Sequence, residues 1–311
     1  MDGRSVSHTM DAVASHTMDA AALPPRVFTK KGVVRSPFNP ALDKYFYRRY
    51  ALFSRYHLGV RLDAEGWFSA TPEAVARRTS ELLLSGSGGG VLFLDACVGC
   101  GGNAIQQALL DPSGRVLAVD VDPAKVALAR HNARVYGVEN RIEFVVGDFT
   151  SLAPRLRADI VFLSPPWGGV GYDDGASFRL ADLPRPCCGR RLFDLAATCA
   201  PSVGYYLPAS VEPVDLRDLA RRHPSGFCDA VAFRLGGEAG AGGAGSSNPQ
   251  PRKRAKKNEK RPPRTLLACF HASPPPRLHH HHDLPLCIRE EVVEETPPRL
   301  RPRAARRDRT R

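Results

Sequence analysis

No apolar run in this 311-residue chain approaches the ~20 residues that a membrane-spanning helix needs. The polar stretch at its start also has no apolar segment of an export signal, so no membrane partner is expected. Histidine at zinc-ligand spacing from cysteine is missing. The eight cysteines read as reduced thiols of a cytosolic or nuclear protein, with no metal site. The body of the chain lacks charge excess too. The formal net charge is +12, but residues 252–264 carry eight Lys or Arg against the single Glu259, and residues 272–311 carry nine Arg against six acids. The remainder is near neutral, so basicity belongs to two appendages and not to the whole surface. What the chain does have is 43% hydrophobic residues, enough for a sizeable core, and nothing in it demands more than a monomer.

Residues 1–40 are small, polar and proline-containing and read as a disordered segment, with the repeated Ser7–Ala12 and Ser15–Ala20 assigned no function. Residues 41–90 read as a helical subdomain. It opens with the aromatic-basic stretch Lys44-Tyr45-Phe46-Tyr47-Arg48-Arg49-Tyr50 and continues to Trp67-Phe68-Ser69-Ala70-Thr71-Pro72-Glu73. There Thr71 is the expected N-cap, and Pro72 the first residue, of a helix reaching Leu84.

Strands and helices then alternate, which predicts a parallel sheet with helices on both faces. Strands are expected at Val91–Asp95, Arg115–Asp120, Arg141–Val146, Asp159–Leu163, Val203–Leu207 and Asp229–Leu235. The helix Pro123–Tyr136 is closed by Gly137. A last strand, Thr265–His271, is expected to pair antiparallel with Asp229–Leu235. The fold class is α/β: a Rossmann-like, mostly parallel seven-stranded sheet with an antiparallel last strand, in a domain spanning 91–271. Its basic insertion, 236–263, and the Pro/Arg-rich tail, 272–311, are expected to be disordered.

The glycine turn after the first strand does not have dinucleotide spacing. Asp95 leads into Gly99-Cys100-Gly101-Gly102-Asn103, GxGGN in place of GxGxxG. An acidic residue heading such a turn suits a cationic amine more than a pyrophosphate, and S-adenosylmethionine carries that amine. Asp120, 19 residues after Gly101 at the end of the second strand, is placed to accept from both ribose hydroxyls. Asp148 after the third strand is placed for the adenine amine, with Phe149 against the ring. After the fourth strand comes Ser164-Pro165-Pro166-Trp167-Gly168-Gly169. Two prolines stop the sheet and stiffen the loop. A hydroxyl, backbone carbonyls and a flat indole there suit a planar base bearing an amine.

Taken together, these stretches resemble the trimethylguanosine synthase family, which methylates the exocyclic N2 of 7-methylguanosine RNA caps. The resemblance covers residues 41–236 and 264–271. It rests on Lys44 to Arg55, Asp63-x-Glu65-Gly66-Trp67-Phe68-Ser69, Thr71-Pro72-Glu73, Asp95 to Asn103, Val119 to Pro123, Ala129 to Ala133, Gly147-Asp148-Phe149 and the Ser164–Gly169 loop. It implies a class I S-adenosylmethionine-dependent methyltransferase whose helical subdomain closes over the active site.

Cofactor contacts are implied for Thr71, Asp95, Gly99, Gly101, Asn103, Asp120, Asp148 and Phe149. Trp167 would stack on the 7-methylguanine ring, and Ser164 and Asn132 would contact the base. Lys44 would meet cap phosphates, and Phe53 with the Trp67–Thr71 stretch would close over the pocket. Ser164, Pro165 and Trp167 are the expected catalytic set, with Ser164 and the Pro165 carbonyl as acceptors that would hold the amino protons so that the N2 lone pair meets the methyl group. Where the family commonly has an arginine after Tyr206-Leu207-Pro208, this chain has Ala209, and Arg179 and Arg190 are the named substitutes.

The expected substrate is a 7-methylguanosine-capped small nuclear or nucleolar RNA. Ribonucleoprotein components and import receptors acting on Arg252–Lys257 are expected partners. The expected location is the nucleus, nucleolus included, with a cytoplasmic share. An internal guanine N2 as acceptor, or a catalytically weak RNA-binding adaptor, are the competing readings.

Overall fold

The structure, a computed structural model, describes residues 42–168, 176–183, 188–236, 264–271 and 286–294. The amino-terminal segment, the 236–263 insertion beyond Gly236 and the Arg252–Lys257 cluster lie outside the described residues.

Four short helices come first: α1 (Asp43–Phe46), α2 (Arg49–Leu52), α3 (Gly66–Ser69) and α4 (Glu73–Leu83). The alternating part follows as β1 (Leu92–Asp95), α5 (Gly102–Leu110), β2 (Arg115–Asp120), α6 (Pro123–Tyr136), β3 (Ile142–Val146), α7 (Phe149–Leu152), β4 (Ile160–Leu163), α8 (Gly189–Cys199), β5 (Ser202–Pro208), α9 (Pro213–Arg222) and β6 (Cys228–Gly236). The antiparallel strand β7 (Thr265–Phe270) and a further strand, β8 (Leu286–Glu294), complete the sheet. Its order is β3-β2-β1-β4-β5-β7-β6-β8. Strand β7 runs antiparallel to both β5 and β6, and the other pairings are parallel.

Consecutive strand residues feed opposite faces of this sheet. Phe93 and Phe162 belong to a core layer shared with α4, α5 and α6, whereas Leu94 and Leu163 belong to a second layer with α8 and α9. Burial on both faces is why β4 reads as the unbroken run Ile160-Val161-Phe162-Leu163. The amino-terminal helices share the first layer through Phe46, Leu52, Phe53 and Trp67, so residues 42–90 are packed into the main core.

Two expectations are corrected. Thr71 is not the N-cap of α4; Pro72 holds that position, and the helix begins at Glu73. The Thr71 hydroxyl instead accepts from Asn103 Nδ2 at 3.1 Å. The Pro/Arg-rich tail, 272–311, reads as disordered, yet Leu286–Glu294 within it forms an eighth strand parallel to β6. Its polarity hides it in the sequence. Arg289 Nη1 reaches both Asp229 carboxylate oxygens at 2.8 and 2.7 Å, and Arg78 of α4 pairs with Glu291. At a sheet edge, charged residues are tolerated when partners stand beside them.

Candidate active site

The strand order reverses between β1 and β4, because the chain leaves β1 towards β2 on one side and meets β4 on the other. Ligands of open α/β sheets bind at the carboxyl ends of strands flanking such a point. Asp95 ends β1, and Ser164 follows β4. The two loops are tied directly, since Ser164 Oγ donates to the Cys97 carbonyl at 3.3 Å.

Asp95 is fully buried. Its Oδ1 accepts from the Cys97 amide at 3.3 Å, and its Oδ2 has no hydrogen-bond partner among the described residues. Burial pushes its carboxyl up to about 7; the neighbouring Asp120 charge adds to the rise, while the Cys97 and Ala104 amides oppose it. Asp120 accepts from the Gly99 amide at 2.9 Å through Oδ2 and from the Asp122 amide at 3.0 Å through Oδ1. Each of its oxygens keeps acceptor capacity. Asn103 is buried with Nδ2 on Thr71 and, among the described residues, no partner for Oδ1.

These features fit S-adenosylmethionine. A buried carboxylate with one oxygen lacking a hydrogen-bond partner among the described residues, beside a second acid, is stabilised by an ammonium group. Asp120 has an acceptor for each ribose hydroxyl. Gly101, with φ of 89°, lets the turn press on α6, since a Cβ there would lie 3.1 Å from Ala129 Cα.

Asp148 is the N-cap of α7. Its Oδ1 accepts from the Thr150 amide at 2.8 Å, and its Oδ2 from Thr150 Oγ1 at 2.7 Å and Ser151 Oγ at 3.1 Å. The Thr150 hydroxyl and the other donors hold its carboxyl below the usual range, and Oδ1 keeps a lone pair for a further donor. Phe149 is buried in the core beside it.

On the β4 side, Pro165 is buried and Trp167 half-buried. The Trp167 indole rests on Tyr206 of β5, with ring centroids 5.5 Å apart at 38° and Nε1 donating to the Tyr206 carbonyl at 3.3 Å. Sequence reading missed Tyr206; its only signal is an aromatic on the strand next to β4. Ser164 gives its proton to Cys97, which leaves its oxygen lone pairs as acceptors.

Several expected ligand contacts are placed as scaffolding. Asn132 is fully buried and spends its amide on main chain: Oδ1 accepts from Arg61 N at 2.8 Å, and Nδ2 donates to Arg61 O and Cys100 O at 2.8 and 2.9 Å. It clamps the helical subdomain to the cofactor turn and has no hydrogen left for a base. Phe53 is buried in the core, where a Cβ on Gly102, the first residue of α5, would lie 3.7 Å from its Cζ. Lys44 is exposed, 4.7 Å from the Tyr45 ring centroid. Arg179 donates to both oxygens of Asp215, and Arg190 pairs with Asp215 and Asp218, so both named substitutes for the arginine absent at Ala209 are neutralised.

Other contacts had little sequence signal. Lys125 bridges Asp63 and Glu65 at 3.0 and 2.9 Å, and Glu73 accepts from Ser54 N, Ser54 Oγ and Tyr136 OH at 2.6, 2.8 and 2.6 Å. Cys97 and Cys100 form a Cys-x-x-Cys pair within the turn itself. Burial pushes the Cys100 thiol up to about 12, and its Sγ lies 3.7 Å from Asp63 Oδ1, so it is a packed thiol and not a thiolate.

The subdomain and the turn meet most tightly at Gly66, where a Cβ would stand 2.5 Å from Cys100 Sγ and 2.8 Å from Asp63 Oδ1. Gly66→Ala is therefore expected to cost about 1–3 kcal/mol of stability by overpacking, with weaker cofactor binding. Adding Cys100→Ala should restore part of both. Chemical denaturation and calorimetry of the single and double variants check this.

A family profile described as RNA cap guanine-N2 methyltransferase matches residues 90–237. The trimethylguanosine synthase of Schizosaccharomyces pombe is 37% identical over 197 residues, 61% of this chain and 79% of that protein. The trimethylguanosine synthase of Saccharomyces cerevisiae is 31% identical over 189 residues, 59% of this chain and 58% of that protein. Among solved structures, a SAM-dependent methyltransferase from Agrobacterium tumefaciens aligns with a TM-score of 0.45 at 14% identity, over 66% of this chain and 64% of that one.

Proposed function

The chain belongs to the trimethylguanosine synthase family of RNA cap guanine-N2 methyltransferases, and from that premise we propose that it methylates the exocyclic N2 of a 7-methylguanosine cap to give 2,2,7-trimethylguanosine. Bound S-adenosylmethionine supplies an electrophilic methyl group on a positively charged sulfur. Asp95 holds its ammonium group, Asp120 its ribose hydroxyls, and Asp148 with Phe149 its adenine. Thr71 acts through Asn103, whose Oδ1 is the acceptor offered at the turn. The observation that carries the reading is the Ser164–Cys97 hydrogen bond, which joins the base-gripping loop to the cofactor turn.

The chain's own residues have three tasks at the base. Trp167 gives its face to the ring, which N7-methylation makes cationic, so the indole quadrupole favours it over plain guanine. Ser164 Oγ and the Pro165 carbonyl accept hydrogen bonds from the amino group and turn the N2 lone pair out of conjugation towards the methyl group; the proton that the methylated nitrogen sheds passes to solvent. Rate comes from this positioning and from stabilising the charge that grows on N2, with no strong base required. The substrates are capped small nuclear and nucleolar RNAs, and the Arg252–Lys257 cluster directs the protein to the nucleus.

Labelled S-adenosylmethionine, m7GpppA and an uncapped structured RNA test the assignment. Label recovered on N2 of the cap guanine supports it. Label only in the uncapped RNA moves the acceptor to an internal guanine, and no label on either RNA, with cofactor binding intact, favours the adaptor.

A further inference from the structure

Residues 42–61 carry five Lys or Arg against Asp43 alone, and beyond Lys44 the proposed chemistry uses none of these cations. Elsewhere Arg78, Arg134, Arg179, Arg222 and Arg289 each lie within ion-pair distance of a carboxylate. Among the described residues, no carboxylate stands at that distance from Arg49 or Arg55.

Yet both guanidinium groups are held in place. That of Arg49 lies 4.6 and 4.8 Å from the Phe46 and Tyr50 ring centroids and donates to the Phe46 carbonyl at 2.9 Å. That of Arg55 lies 5.0 Å from the Tyr136 ring centroid and donates to the Val135 carbonyl at 3.2 Å. A cation that is immobilised but not neutralised has little entropy left to lose on meeting a phosphate. Tyr47, 48% exposed, adds a flat ring for a base to stack on.

The segment that carries the two arginines is anchored on the glycine turn. Phe53, between the two arginines in sequence, packs near Gly102, and the Arg61 main chain shares Asn132 with Cys100 of the cofactor turn.

We propose that this face of the helical subdomain, with Arg49 and Arg55 at its centre, holds the phosphodiester backbone of the RNA strand that follows the cap. The inference rests on the cap-methylating function and deepens it, because it makes a capped strand, and not the cap alone, the preferred substrate. A strand of polyanion suits fixed cations such as Arg49 and Arg55, which have no carboxylate within ion-pair distance among the described residues.

The test compares m7GpppA with an m7G-capped single strand of about 16 nucleotides, within the span that such grooves hold. It uses the full chain, an Arg49→Gln/Arg55→Gln variant and an Arg49→Lys/Arg55→Lys variant. The glutamine pair should raise KM for the capped strand about tenfold and lower the slope of log affinity against log salt by about 1.4, two contacts of about 0.7 each. KM for m7GpppA and affinity for S-adenosylmethionine should stay unchanged, and the lysine pair should recover most of the salt slope. Equal losses on both substrates would mean a structural role. An unchanged slope would overturn the proposal, and would favour an acidic protein surface as the partner.

Filter binding of the same strand without its cap separates this inference from the reading beneath it. Inactivity on m7GpppA, with RNA binding and its arginine-dependent slope intact, sinks the cap assignment and leaves the arginine face standing.

Discussion

Alanine at Trp167 is expected to lower kcat/KM for a 7-methylated cap about a hundredfold. A cation over a desolvated indole face contributes about 2 kcal/mol, or roughly thirtyfold. The remainder is lost positioning, because a base that is not pinned seldom presents N2 in line. The indole is itself fixed from beneath by Tyr206, through ring contact and the Nε1 bond to its carbonyl. Cofactor affinity should stay within about twofold, since Trp167 leaves Asp95 and Asp120 untouched, and a change in that affinity would show that the loop does not act on the base alone. Trp167→Phe keeps a ring and loses the Nε1 bond, so it should fall between the two. Steady-state rates on m7GpppA, paired with calorimetric titration of S-adenosylmethionine, read both quantities.

Asp95→Asn should act in opposite directions on binding and stability. Removing the charge that meets an ammonium group costs about 1.5–3 kcal/mol, or roughly 10- to 150-fold in cofactor affinity. The cofactor-free protein, in contrast, should melt higher at pH 8, by about 2–5 °C, because the variant no longer buries a charge without a partner.

The pH dependence has a defined sign. The unfolded carboxyl loses its proton near 3.8, the folded one near 7, so between those values the folded state holds a proton that the unfolded state lacks. Stability from this group is fully present below the lower value and falls as pH rises through the window. The variant's advantage should therefore vanish near pH 4. Thermal melts from pH 4 to pH 8 without cofactor check this; a constant gap would show that Asp95 does not titrate there.

Much of this was legible because it is local. Strands that end in Asp95 and Asp120, and in Leu163 before the two prolines, announce themselves through apolar runs cut by polar or ring-constrained residues. The glycine turn shows in its spacing. What the sequence hid depends on partners far along the chain. Arg289 and Glu291 read as tail until Asp229 and Arg78 stand beside them. Asn132 reads as a ligand until its amide is consumed by Arg61 and Cys100. Thr71 reads as a cap, and its hydroxyl is drawn one residue out of that role by Asn103. Tyr206 could be placed in a strand but not beneath Trp167, because register across β4 and β5 is a tertiary fact.

The measurement that bears most directly on the account is methyl transfer to m7GpppA and GpppA side by side, each with the native protein and with Trp167→Ala. Transfer to the 7-methylated cap, weak transfer to the unmethylated one, and loss of that preference in the variant are the predicted results. Equal transfer to both caps by the native protein would contradict the account, because a stacking site that reads the ring's charge cannot treat them alike.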